Sequence, residues 1–168
     1  PGDEIIYPSP GFPIYESFIR YIGAVPVPLH LDENQGFSCT ADQLAALITP
    51  RTKLIILNFP SNPTGGVATR DQLGALADVI QTRCRPEARV YSDEIYENII
   101  FDGQTHLSIA SMPGMADKTI ISSGLSKSFA WTGGRVGYAV MPSVAEADAF
   151  KNMNINYFSC VPPYNQEG

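Results

Sequence analysis

The segment Lys53-Leu54-Ile55-Ile56-Leu57-Asn58 decides the fold of this chain, because a helical pattern and a second apolar run come after it. Its own apolar and β-branched residues are typical of a β-strand. The helical pattern begins after Thr69, with apolar residues on one face from Leu73 to Ile80. The second short apolar run then starts at Arg89. This order of strand, helix and strand predicts a parallel sheet covered by helices.

The same alternation extends outward over the whole chain. Candidate strands lie at 4–7, 25–29, 53–58, 89–92, 119–122 and 136–141. A first helix at about 14–22 is expected to end at Gly23, because glycine readily adopts the left-handed conformation found after helices. The sequence therefore predicts an α/β fold, a mainly parallel sheet with helices on both faces in three layers.

Capping boxes mark the starts of three further helices. In such a box a Ser or Thr at the N-cap precedes a Gln or Glu by three residues, and each side chain bonds the other's backbone. The pairs are Thr40 with Gln43, Thr69 with Gln72, and Ser143 with Glu146. Each pair stands before an apolar-periodic stretch, which favours a helix at all three places.

Composition narrows the class of protein. The 168 residues suit one domain, and 44% hydrophobic with 17% charged residues is a globular composition. A net charge of -6 argues against a nucleic-acid partner. The apolar runs are too short to span a membrane. Three cysteines without metal-ligand spacing suggest reduced thiols and a cytoplasmic location.

Both ends of the chain look cut. Residues 1–3 lead directly into the first candidate strand, and residues 161–168 read as the approach to another helix. We therefore expect 1–168 to be a single domain and a fragment of a longer protein.

Polar residues follow several of the candidate strands. Asn62 lies in Asn62-Pro63-Thr64-Gly65, Asp93 in Ser92-Asp93-Glu94-Ile95-Tyr96, and Lys127 in Ser122-Ser123-Gly124-Leu125-Ser126-Lys127. Arg135 follows eight residues after Lys127, within a glycine-rich stretch. In open parallel sheets, ligands bind at the carboxyl edge of the strands. Three motifs at that edge predict a binding site there.

These residues and their spacings resemble the class I/II aminotransferases, the large family of fold-type-I pyridoxal-phosphate enzymes, over nearly the whole chain. The resemblance implies that Lys127 binds the cofactor, pyridoxal 5'-phosphate, as a Schiff base and moves the substrate proton. It also implies that Asp93 faces the pyridine nitrogen and that Arg135 binds the phosphate.

The resemblance assigns four more residues. Asn62 and Tyr96 would donate hydrogen bonds to the cofactor's 3' oxygen from opposite sides. Phe12 would stack on the pyridine ring, although a hydrophobic staple for the first helix explains it equally well. Many family members have a serine three residues before the lysine, where this chain has Gly124. Ser126 is the expected substitute for the phosphate contact, with Ser123 as the other candidate.

Other residues are expected outside the site. Strand alternation should turn Glu94 away from the face that carries Asp93. His30 and His106 match no motif, so we assign them to the fold or the surface, and we expect no metal site.

The resemblance implies transfer of an amino group from an L-amino acid, possibly of the aspartate type, to a 2-oxo acid by a homodimer. The fragment alone should be inactive, because family sites form at a dimer interface and part of the phosphate site is missing. Alternatives are a β-lyase, decarboxylase or synthase of the same fold, a cofactor-sensing domain of a transcriptional regulator, and a vestigial scaffold.

Overall fold

A computed structural model describes residues 2–167. In this part of the chain six strands form one sheet in the order β2-β1-β3-β4-β5-β6. They are β1 (Glu4–Ser9), β2 (Val25–His30), β3 (Thr52–Asn58), β4 (Arg89–Asp93), β5 (Thr119–Gly124) and β6 (Gly137–Val140). The strands from β1 to β5 pair in parallel, and β6 pairs antiparallel with β5. The prediction of a mainly parallel sheet is confirmed.

Six α-helices connect or follow the strands between residues 2 and 167. They are α1 (Ile14–Tyr21), α2 (Ala41–Leu47), α3 (Arg70–Arg83), α4 (Leu125–Ser128), α5 (Val144–Phe158) and α6 (Pro163–Gln166). None of the described helices is long and apolar enough to cross a membrane.

Successive residues of the central strands face opposite sides of the sheet. Ile5 and Ile56 pack with Tyr15 and Ile19 of α1 in a small cluster on one side. Their neighbours Ile6 and Ile55 belong to the larger core on the other side, which includes residues of α2 and α3. This division places helices on both faces, as the alternation predicted.

Helix boundaries follow the expected caps. Full capping boxes form at Thr40 and Thr69, where each N-cap side chain accepts from the backbone and receives the reciprocal glutamine bond. At Gly23, φ is 74°, and its N–H donates to the Arg20 carbonyl while the Ala24 N–H donates to Ile19. That pair of bonds is a Schellman motif, which ends α1 at the predicted glycine.

The third box is only half formed, which corrects the prediction. The Ser143 side chain accepts from the Glu146 backbone N–H at 3.2 Å. The Glu146 carboxylate accepts instead from the Ser143 hydroxyl at 2.8 Å and from Arg89 Nε at 2.7 Å. The ion pair with Arg89 ties α5 to β4, and it draws the carboxylate away from the N-cap backbone.

Candidate active site

The ends of three neighbouring strands form the floor of the candidate site. In the register of the sheet, Asn58 of β3 pairs with Asp93 of β4, and Asp93 pairs with Ser122 of β5. The loops that carry Asn62, Tyr96 and Lys127 leave from these ends. The parallel direction of the strands therefore brings all these segments to one edge of the sheet.

Asp93 is a half-buried carboxylate that accepts two hydrogen bonds. Tyr15 donates from its hydroxyl to Asp93 Oδ2 at 2.6 Å, and the Ile95 backbone N–H donates to Oδ1 at 3.3 Å. Burial raises the pKa of Asp93 above its ordinary value, and the two hydrogen bonds only partly oppose this. The carboxylate is thus held in place by two hydrogen bonds, while burial disfavours its charged form.

Tyr15 was not predicted as a site residue. It lies in the first turn of α1, after the end of β1, and is 7% exposed. Burial raises the pKa of its hydroxyl, as does the neighbouring Asp93, so the group stays a donor. The only sequence signal was a tyrosine in the helix that follows a strand end, three residues after Phe12. Such a tyrosine usually belongs to a core.

A second group joins the loops after β3, β4 and β5. Asn62 Nδ2 lies 3.4 Å from the Tyr96 hydroxyl oxygen, to which it donates. Lys127 Nζ lies 5.7 Å from the centre of the Tyr96 ring. Asn62 and Tyr96 are half-buried and Lys127 is exposed. An amide, a phenol and an amine thus come together at the same edge as Asp93.

Arg135 and Ser126 belong to a third group, joined through Thr132. The Thr132 hydroxyl donates to the Ser126 carbonyl at 3.2 Å, and Arg135 Nη1 donates to the Thr132 carbonyl at 3.1 Å. Arg135 is exposed and has φ of 56°, a left-handed conformation that is uncommon outside glycine. It lines a groove of about 900 Å³ between β6 and α5, together with Ser122 and Ser123.

Phe12 is 43% exposed and packs edge-to-face on Tyr15, with 5.9 Å between ring centres. The hydrophobic-staple alternative is wrong. Because α1 begins at Ile14 after the N-cap Pro13, the position that a staple would contact is Ser17, which is not apolar. Phe12 thus contacts the residue that holds Asp93.

Packing against β6 explains the glycine at position 124. A Cβ there would lie 2.9 Å from both the Gly137 Cα and the Val136 carbonyl oxygen, closer than real side chains come. Of the two candidate substitutes, Ser123 is buried and donates to Glu97 Oε1 at 2.7 Å. Ser126 is half-buried, and its hydroxyl donates to no carboxylate among residues 2–167.

Glu94 faces away from Asp93, as strand alternation predicted. It is 3% exposed and accepts from the Ser92 hydroxyl at 2.8 Å and the Ser108 hydroxyl at 2.6 Å, and it contacts His106 Nε2 at 2.7 Å. Burial raises the pKa of Glu94, but these three partners outweigh it and hold the pKa below the ordinary value. His106 therefore has a role in the fold.

Glu97 also lies near this network, so that Glu94, Glu97 and His106 bring three metal-ligating groups within 4.8 Å of one another. Both Glu94 oxygens already have hydrogen-bond partners, and Glu97 Oε1 accepts from the hydroxyls of Ser123 and Tyr138. The cluster is explained as a hydrogen-bond network that fastens the loop after β4 to the sheet.

The class I and II aminotransferase family matches residues 1–165. The aspartate/prephenate aminotransferase of Cereibacter sphaeroides is 41% identical over 143 residues, 84% of this chain and 35% of that enzyme. The arginine–pyruvate transaminase of Pseudomonas aeruginosa is 43% identical over 143 residues, 85% of this chain and 35% of that enzyme.

Solved structures agree with the family match. The aromatic aminotransferase of Pyrococcus horikoshii superposes with a TM-score of 0.89 at 36% identity, over 98% of this chain and 43% of that one. The chain belongs to the class I and II aminotransferases. It spans less than half the length of each of these three relatives.

Proposed function

We propose that this chain is the cofactor-binding part of a pyridoxal-phosphate-dependent aminotransferase, with the Schiff base on Lys127. One observation carries the proposal. The amine of Lys127, the phenol of Tyr96 and the amide of Asn62 come together at the edge of the sheet that carries the half-buried Asp93. Family membership supports the reaction class, because pyridoxal phosphate is the cofactor of this family.

The donor set fits the cofactor. Pyridoxal phosphate, when bound, supplies an electron sink for the charge that develops at the substrate Cα. Asp93 would hold the ring nitrogen, since a cation there would oppose the effect of burial, which raises the pKa of this carboxylate. Asn62 and Tyr96 would donate to the 3' oxygen, because their polar atoms meet within 3.4 Å. Phe12 would pack on the ring beside Tyr15.

Arg135 and Ser126 would bind the phosphate. Both lie in the segment after β5, linked through Thr132, and Arg135 offers a planar fork that suits bidentate contact with an anion. Lys127, one residue after Ser126, would then be the group that moves the proton at the substrate Cα. Lys127 is exposed in this chain, and a bound ligand together with the rest of the protein would exclude water around it.

The test is borohydride reduction of the full-length protein after incubation with pyridoxal phosphate, followed by tryptic mapping. A modified Lys127 blocks cleavage, so the label should appear in peptide 119–135, which Lys118 and Arg135 delimit. Lys127→Arg should remove that label, and the control Lys118→Arg should keep it. A label on any other lysine, with this region recovered as the unlabelled peptides 119–127 and 128–135, would contradict the proposal.

Substrate and assembly rest on resemblance. We propose an L-amino acid and a 2-oxo acid as substrates and a homodimer as the working form. The relatives named above are described by different substrates, namely aspartate and prephenate, arginine and pyruvate, and aromatic amino acids. An aspartate-type substrate is therefore tested directly, by following glutamate formation from aspartate and 2-oxoglutarate. We expect the isolated 168-residue chain to be inactive in that assay, and turnover at an ordinary enzymatic rate would contradict this.

A further inference from the structure

Asn58, the last residue of β3, is buried and connects two parts of the site. Its side chain is 2% exposed. The amide group donates from Nδ2 to the Asp93 carbonyl at 2.9 Å and to the Pro60 carbonyl at 3.3 Å. Its Oδ1 accepts from the Asn62 backbone N–H at 2.8 Å. Both the nitrogen and the oxygen of the side-chain amide are therefore hydrogen-bonded.

These side-chain hydrogen bonds lie at the point where the pairing of β3 with β4 ends. Asn58 and Asp93 are the last paired residues of β3 and β4. The bond from Nδ2 to the Asp93 carbonyl adds one hydrogen bond between β3 and β4 at their last paired residues. The bond to the Asn62 N–H folds the following loop back over the same strand end. One side chain thus fixes the backbone of Asp93 relative to the backbone of Asn62.

The residue type matters for this link. A carboxylate in the same place would put oxygen against two carbonyls, and an aliphatic side chain would leave buried backbone groups without partners. Only a primary amide offers two donors and an acceptor from so short a side chain. Side chains that bind a ligand need such support from neighbouring residues, because small displacements of these side chains reduce the affinity for the ligand.

We propose that Asn58 is a positioning residue that sets the spacing between Asp93 and Asn62, and so between the groups that would meet the ring nitrogen and the 3' oxygen of pyridoxal phosphate. This inference rests on the proposed function for its ligand. Its geometric part concerns residues of the chain alone, and that part is tested without cofactor.

The experiment compares three variants of the full-length protein. Asn58→Ala removes all three bonds. Asn58→Asp keeps an acceptor for the Asn62 N–H and loses the donors. Ser61→Ala is the matched control, because the buried Ser61 hydroxyl in the same loop has no hydrogen-bond partner among residues 2–167.

In the cofactor-free protein, amide hydrogen exchange at Asn62 should become about tenfold faster or more in Asn58→Ala and change less in Asn58→Asp. With cofactor, the dissociation constant of pyridoxal phosphate should rise about tenfold or more in both Asn58 variants. The pH midpoint of the visible absorbance change of bound cofactor should also shift. A residue that only stabilised the fold would leave that midpoint unchanged. Ser61→Ala should leave all three quantities as in the wild type.

Unchanged exchange at Asn62 in Asn58→Ala, or unchanged affinity and midpoint in a folded Asn58 variant, would overturn the inference. If Asn58→Ala does not fold, the affinity and midpoint of Asn58→Asp decide. Failure of the proposed function is a different result. In that case the wild-type protein shows no labelling of Lys127 by pyridoxal phosphate, while the exchange comparison still reports on the link.

Discussion

Tyr15 donates a 2.6 Å hydrogen bond to Asp93, although 78 residues separate them in the chain. The contact crosses from the first turn of α1 to the end of β4. It supplies a donor to a carboxylate that burial would otherwise leave poorly solvated. The same tyrosine ring supports Phe12. Tyr15 thus contacts both Asp93 and Phe12, two of the predicted site residues.

Replacing Tyr15 by Phe should therefore affect Asp93 directly. The variant keeps the ring and loses the donor, so the pKa of Asp93 should rise further. A hydrogen bond to a charged group contributes about 2 kcal/mol, and we expect a loss of that order in the free energy of unfolding at neutral pH. Urea unfolding of wild type and Tyr15→Phe measures it.

The sign of the pH dependence follows from the raised pKa. A carboxyl whose pKa is higher in the folded state gives stability at low pH, which is lost as the pH rises through the folded pKa. In Tyr15→Phe the pKa of Asp93 in the folded protein is higher still, so more stability is lost between low and neutral pH. The difference between the two proteins should therefore be small below the ordinary pKa of 3.8 and full at neutral pH. A difference that does not change with pH would show that Tyr15 does not act through Asp93.

Glu94 should behave in the opposite sense, because its pKa is lowered. The network of Ser92, Ser108 and His106 gives stability above the ordinary pKa of 4.5, and this is lost as the pH falls through the folded pKa. Glu94→Gln should lower the free energy of unfolding by about 2 kcal/mol at pH 7, the usual contribution of a hydrogen bond to a charged group. The deficit should shrink in acid. Glu87→Gln, at an exposed carboxylate, is the control and should show neither effect.

Introducing the serine that the resemblance to many family members led us to expect at position 124 should destabilise this chain. In Gly124→Ser the new Cβ would lie 2.9 Å from two backbone atoms of the β6 segment. Overpacking of this kind costs about 1–3 kcal/mol, and displacement of β6 should weaken cofactor binding as well. Thermal unfolding and titration with pyridoxal phosphate measure the two effects. Gly133→Ser is the matched control, since its Cβ would meet nothing within 4 Å. Tighter cofactor binding by Gly124→Ser would contradict the steric explanation.

Loss of the capping box at Thr69 should destabilise the protein more than loss of the half-formed one at Ser143. Thr69→Ala should cost about 1 kcal/mol, the usual effect of removing an N-cap side chain. The helix that it caps, α3, buries four residues in the core, whereas α5 buries none. Ser143→Ala should fray the start of α5, and this should lower the urea midpoint of unfolding less than Thr69→Ala does. Equal midpoint shifts would mean that helix packing does not decide the effect.

Local sequence patterns were enough to predict most of the strands and helices. All six strands were predicted, because short apolar runs between turn residues have few alternatives in an α/β chain. The half-formed box at Ser143 could not be predicted, because Arg89 competes for the Glu146 carboxylate from a position 57 residues away. The sequence likewise does not explain why Gly124 replaces the expected serine, because the reason is steric contact with the backbone of Val136 and Gly137.

The sequence by itself determined the order of strands and helices, the edge at which Asn62, Asp93 and Lys127 lie, and the outward turn of Glu94, since these follow from periodicity and from parallel strands ending together. Only the tertiary structure decided that Tyr15 holds Asp93 and that Asn58 joins Asp93 to Asn62. Those contacts depend on how α1 and the loop after β3 pack at the strand ends. Distances set by packing between segments far apart in the chain leave no local pattern in its residues.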